Sequence, residues 1–72
     1  MSTIDTLRDI VSQHVEPPAD PQAPLELDSF ALVVIAEALE DRFGIRVRPA
    51  EVVPDNFGTL ARLAAWVEGK RA

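Results

Sequence analysis

Seventy-two residues with 47% hydrophobic and 26% charged side chains describe one small globular domain, not a disordered tail. At this size only about 60–65% of the unfolded chain's surface can be buried, so the core must be small. The net charge of −5 argues against the basic face that nucleic acid rewards, the lack of cysteine excludes a disulfide framework, and a single histidine leaves no basis for a metal centre.

No apolar run approaches the roughly 20 residues of a membrane span, and the N-terminus lacks the basic start and apolar run of a signal peptide. A cytoplasmic protein that meets no membrane is expected, and its acidity favours encounter with basic surfaces on protein partners.

From Thr3 to Val15 the positions Ile4, Leu7, Ile10, Val11, His14 and Val15 recur at three- and four-residue spacing, which predicts an amphipathic first helix. Ser2 or Thr3 can cap it, and Asp5 lies in the first turn, where the helix dipole favours an acid. His14 reads as a partly exposed residue near the helix end, not a catalytic one. Residues 16–24 hold Pro17, Pro18, Pro21 and Pro24, and proline has no N–H for a helix interior. The segment is expected to be a surface loop, too short to link two domains.

The stretch Leu25-Glu26-Leu27-Asp28-Ser29-Phe30 leads into the helix that organises the rest of the chain. Asp28 is suited to the N-cap position, since its carboxylate can accept a backbone N–H of the first turn, and Ser29 then opens the helix with its hydroxyl exposed. At about 100° per residue, Leu32, Ile35, Ala36, Leu39 and Phe43 share one arc and are expected to face the core. Phe30, Val33, Val34, Glu37 and Asp41 fall opposite. A chain this short cannot bury both sides, so Phe30, Val33 and Val34 are expected to form an exposed docking patch.

Gly44 is expected to stop this helix by taking the left-handed conformation. Ile45 and Val47 alternate with Arg46 and Arg48, but no second alternating segment exists to pair with them, so they read as a loop that plugs the core. Pro49 and Pro54 each sit at the start of a possible helical turn, and one short helix is expected within 49–58. Thr59 can cap a last helix over 59–69, with Leu60, Leu63, Ala64 and Val67 as its apolar stripe and Trp66 at the border. Gly69 is expected to end it, leaving Lys70 and Arg71 at the negative helix end.

From Leu25 to the end, the chain resembles the acyl carrier and peptidyl carrier protein family. The resemblance rests on Asp28-Ser29-Phe30 at the start of the second helix, on Leu39…Phe43-Gly44-Ile45-Arg46-Val47 at its close, and on Pro54-Asp55-Asn56-Phe57…Thr59-Leu60 before the last helix. It implies an all-α fold, a small four-helix bundle of acyl-carrier type over residues 1–72, with a long first loop and a short third helix. It further implies that Ser29, preceded by Asp28, carries 4′-phosphopantetheine transferred from coenzyme A by a phosphopantetheinyl transferase. The chain would then be a monomeric, non-catalytic carrier of acyl or aminoacyl thioesters, served by loading enzymes and downstream synthases or transferases that dock on Phe30, Val33, Val34, Glu37 and Asp41.

Two departures bear on this. Many relatives have glycine where this chain has Glu26, so the loop before Ser29 is expected to differ. On the outer face, Ala31, Val33 and Val34 occupy the first turns and acids appear only at Glu37, Glu40 and Asp41, whereas fatty-acid carriers are typically acidic along this face. The chain therefore leans toward polyketide or nonribosomal peptide synthesis. The alternatives are a fatty-acid carrier and a small helical adaptor without a prosthetic group.

Overall fold

Capping decides where the first helix begins. In the computed structural model, which describes residues 2–71, the Ser2 hydroxyl accepts the Asp5 N–H at 3.1 Å, and the Asp5 carboxylate reaches back to the Ser2 N–H at 3.5 Å. This reciprocal pair satisfies two donors that the helix itself leaves free. Helix α1 spans Thr3–Ser12, three residues short of the expected end at Val15. The N–H groups of Gln13 and His14 turn to the carbonyls three residues back, at 3.3 and 2.9 Å, which tightens the chain ahead of Pro17-Pro18. His14 is exposed, while Val15 stays half-buried against the core.

The proline loop is held through its carbonyls, the groups proline keeps. Arg8 of α1 donates to the Pro18 and Ala19 carbonyls and the Ala61 N–H to the Pro21 carbonyl at 3.0 Å; just past the loop, the Leu25 N–H in turn donates to the Gly58 carbonyl at 2.8 Å. The loop is thereby fastened to both ends of the molecule.

Helix α2 spans Ser29–Phe43, as expected, and closes on Gly44 at φ 65°, the left-handed conformation that glycine takes without Cβ strain. Its inner face is not the one periodicity indicates. The buried residues are Ala31, Ile35 and Leu39; Leu32 and Phe43 are only half-buried, and Ala36 lies outside the core cluster. The helix is turned by about 50° from the expected setting, measured as the shift between the two arcs. Alanine takes up little room against neighbouring helices, whereas Leu32 and Ala36 face the flank along which residues 47–52 return.

Residues 44–48 form neither helix nor strand, and Ile45 and Val47 pack half-buried against the core as expected. Beyond them lie two short elements instead of one: a 3₁₀ turn, Pro49–Glu51, and α3, Pro54–Phe57. Pro54 has no N–H with which to continue the first into the second. At Gly58 an added Cβ would collide with the Pro54 carbonyl oxygen, so the tight turn out of α3 requires glycine.

Thr59 caps the last helix, accepting the Arg62 N–H at 3.0 Å, and α4 spans Leu60–Arg71. Gly69 does not end it. Glycine costs about 0.5–1 kcal/mol in a helix interior. That cost is offset by partners beyond it: Lys70 reaches Glu51 at 2.9 Å and lies over the Trp66 ring, and Arg71 lies over the Phe43 ring. Leu60, Leu63, Ala64 and Val67 are buried, and Trp66 sits at the core edge with its ring 5.2 Å from Phe57. Together α1 to α4 form a small helical bundle, as the resemblance implies, with Leu7, Ile10 and Val11 of α1 completing the core.

The Glu51 carboxylate ties the 3₁₀ turn to α4. Its Oε1 accepts from Lys70 Nζ and from the Arg48 N–H, each at 2.9 Å. The Lys70 ammonium, and after it the Arg48 N–H, hold the Glu51 carboxyl below the usual glutamate range. A depressed folded pKa gives stability that is present above the unfolded value and lost as pH falls through the folded one. Thermal melts at pH 7 should therefore find Glu51→Gln less stable than wild type, with the gap closing as pH falls below the usual glutamate range. A gap independent of pH would show that the ionised carboxylate contributes nothing.

Candidate functional site

The approach to α2 alternates. Leu25 is buried and Leu27 half-buried, while Glu26 and Asp28 face solvent. No described residue other than glycine has a positive φ, so position 26 does not need glycine's conformational freedom and Glu26 fits the loop. Asp28 has extended backbone, φ −81° and ψ 175°, and its Oδ1 accepts the Ala31 N–H at 2.8 Å while its carbonyl accepts Leu32 N–H at 3.0 Å. Asp28 thus caps the helix as expected.

Ser29 is the first residue of α2 and is exposed. The N–H groups of Ser29 and Phe30 have no partner among the described residues, and the positive end of the helix dipole lies beside the serine hydroxyl. A phosphoryl ester on this oxygen would meet free donors and a favourable field.

From Ser29 a groove of about 370 Å³ runs between α2 and the returning chain, lined by Leu32, Val33, Ala36, Glu37 and Glu40 on one side and Val47, Pro49 and Val52 on the other. Its far side is hung on a side chain of α2, since Glu40 Oε2 accepts the Val47 N–H at 2.8 Å. Leu32 and Val52 also line a second cavity of about 120 Å³ that reaches Leu25 and Phe57, so they stand as the partition between groove and core.

Of the residues expected to dock partners, Val34 alone departs in burial from the others. Phe30 and Val33 are 75% and 57% exposed, and Glu37 and Asp41 lie on the same side of the helix. Val34 is half-buried, not exposed as expected, and Ala31, read as an outer-face residue, is 6% exposed and belongs to the core. Both differences follow from the turn of α2, which carries Ala31 inward and Val34 to the edge.

The groove is not among the features expected from the sequence. Its signal is present in the chain, because Ser29, Val33, Ala36, Glu37 and Glu40 follow the i, i+4, i+7, i+8, i+11 spacing of one helix face. That face lies between the inner and outer arcs and reads as the margin of both.

A family model described as "Phosphopantetheine attachment site" matches residues 5–67. No curated protein and no solved structure matches the chain.

Proposed function

The chain belongs to the phosphopantetheine attachment-site family, and from that premise we propose that it is a non-catalytic carrier whose Ser29 Oγ bears 4′-phosphopantetheine. The observation that carries the assignment to Ser29 is its place as an exposed hydroxyl at the first position of α2, beside two free N–H groups and at the mouth of an apolar groove. These residues fit the group. The N–H groups of Ser29 and Phe30 and the helix dipole would favour the phosphodiester charge, and Asp28 holds the first turn in place. When attached, the group supplies a terminal thiol that holds acyl or aminoacyl cargo as a thioester. A phosphopantetheinyl transferase attaches the group from coenzyme A, and loading and transfer of the cargo fall to further enzymes.

Incubation with coenzyme A, magnesium and a broad-specificity phosphopantetheinyl transferase should raise the intact mass by one phosphopantetheinyl group. A mass unchanged by several transferases would favour the helical adaptor instead.

We further propose that partner enzymes dock at Phe30 and Val33 and at the acids Glu37 and Asp41, with Val34 at the margin. Apolar side chains left in water beside the attachment point support this, and so does their place on a surface that any enzyme reaching the arm must approach. The largely apolar first turns favour polyketide or nonribosomal peptide synthesis over fatty-acid synthesis. Of the three acids on this side, Glu40 is already engaged by the Val47 N–H. Val33→Asp should leave the thermal midpoint nearly unchanged and raise KM for the cognate loading enzyme about tenfold or more. Unaltered loading kinetics would mean that the face is exposed but idle.

A further inference from the structure

We infer that Glu37 and Glu40 make the groove discriminate among tethered cargoes by charge, admitting acyl chains with neutral or amine-bearing ends and refusing those that end in a carboxylate. This rests on the carrier reading of Ser29.

The groove starts at Ser29 and is walled by aliphatic side chains, with Val33 and Ala36 on α2 facing Val47 and Val52 across it. Its charged lining consists of two carboxylates and no cation. At 1.5 Å per residue they stand about 12 Å and about 16.5 Å along the helix from the serine, where cargo on the thiol of an arm that folds back along the groove would meet them. Neither carboxylate is neutralised by an ion pair among the described residues. Glu40 is half-buried and fixed in place by the Val47 N–H at 2.8 Å, and Glu37 stands nearer the serine on the same wall. The nearby cations are otherwise disposed: Lys70 is held by Glu51 at 2.9 Å, and Arg46 and Arg48 lie outside the groove lining.

A carboxylate entering this space would give up water without gaining a donor and would meet two like charges on the α2 wall. An ammonium would lose less, because it can donate charge-assisted hydrogen bonds to Glu37 or to the free oxygen of Glu40. A methyl end only gains apolar contact. The net charge of −5 adds to the discrimination in the same direction.

The test loads wild-type protein with three coenzyme A analogues that carry six-carbon chains through a hydrolysis-resistant amide: hexanoyl, 6-aminohexanoyl and adipoyl. Intact mass reports attachment, and the amide NMR shifts of Val47 and Val52, together with the thermal midpoint, report entry into the groove. At neutral pH, hexanoyl and 6-aminohexanoyl should shift both amides and raise the midpoint over the unacylated holo form. Adipoyl should leave them at the holo values, with groove occupancy about tenfold below that of 6-aminohexanoyl. Glu37→Lys should reverse the order of the two charged cargoes, and Glu37→Gln should narrow the gap between them. An equal response to all three cargoes, or an order unchanged in Glu37→Lys, would overturn the inference while leaving the carrier reading intact. A chain that gains no mass with any analogue would overturn both.

Discussion

Ser29→Ala is expected to abolish the phosphopantetheinyl mass gain completely while leaving the fold as it is. Both halves follow from the local structure. The hydroxyl makes no hydrogen bond among the described residues and is exposed, so its removal leaves no buried group unsatisfied and opens no cavity. Alanine is at least as good a helix former as serine, and the cap belongs to Asp28, whose bond to the Ala31 N–H does not involve the Ser29 side chain. Circular dichroism and the thermal midpoint should therefore match wild type. Intact mass after treatment with transferase and coenzyme A should stay at the apo value, where wild type gains one group. A variant that is still modified would place the attachment oxygen elsewhere and remove the role assigned to the start of α2.

The second large effect is in the core. Leu39 is fully buried, in a cluster that includes Leu7 and Ile10 of α1 and Leu63 and Val67 of α4. Leu39→Ala should cost about 2–5 kcal/mol, from lost transfer energy plus the cavity left where packed helices cannot collapse. At about 0.05–0.15 kcal/mol per residue the whole domain has about 4–11 kcal/mol in reserve, so the upper end of that cost removes roughly half of it or more. Each kcal/mol lowers the midpoint of a domain this size by about 4–8 °C, so the variant should melt at least roughly 8 °C lower. Urea denaturation checks this, with Val33→Ala as the exposed control on the same helix. A midpoint that moved as little for Leu39→Ala as for the control would contradict the assigned inner face.

Features that depend on a few neighbouring residues are legible in the chain itself. Asp28 as a cap, Gly44 as a left-handed stop and Thr59 at the start of α4 each act within one turn, and each stands where its residue type indicates. The stripe of α4 is legible too, because its large aliphatic residues, Leu60, Leu63 and Val67, fall on one side. Helix α2 is harder. Apolar side chains surround more than half of its circumference, from Phe30 and Val33 to Leu32, Ile35 and Leu39, so periodicity alone cannot orient it. Its setting depends on what lies against each flank.

The chain by itself determined where α1, α2 and α4 begin, their N-caps and the exposed serine at the head of α2, because these follow from hydrogen bonds and dihedral preferences that span at most a few residues. Tertiary structure decided the rest. It carried α4 past Gly69, where Glu51 and Phe43, distant in sequence, supply partners for Lys70 and Arg71. It turned α2 so that Ala31 went inward and Val34 to the edge. It also made the groove, which exists only because residues 47–52 return alongside Leu32 and Ala36 and are held there by Glu40. A groove is a relation between two surfaces, and the pattern of one helix face cannot say what stands opposite it.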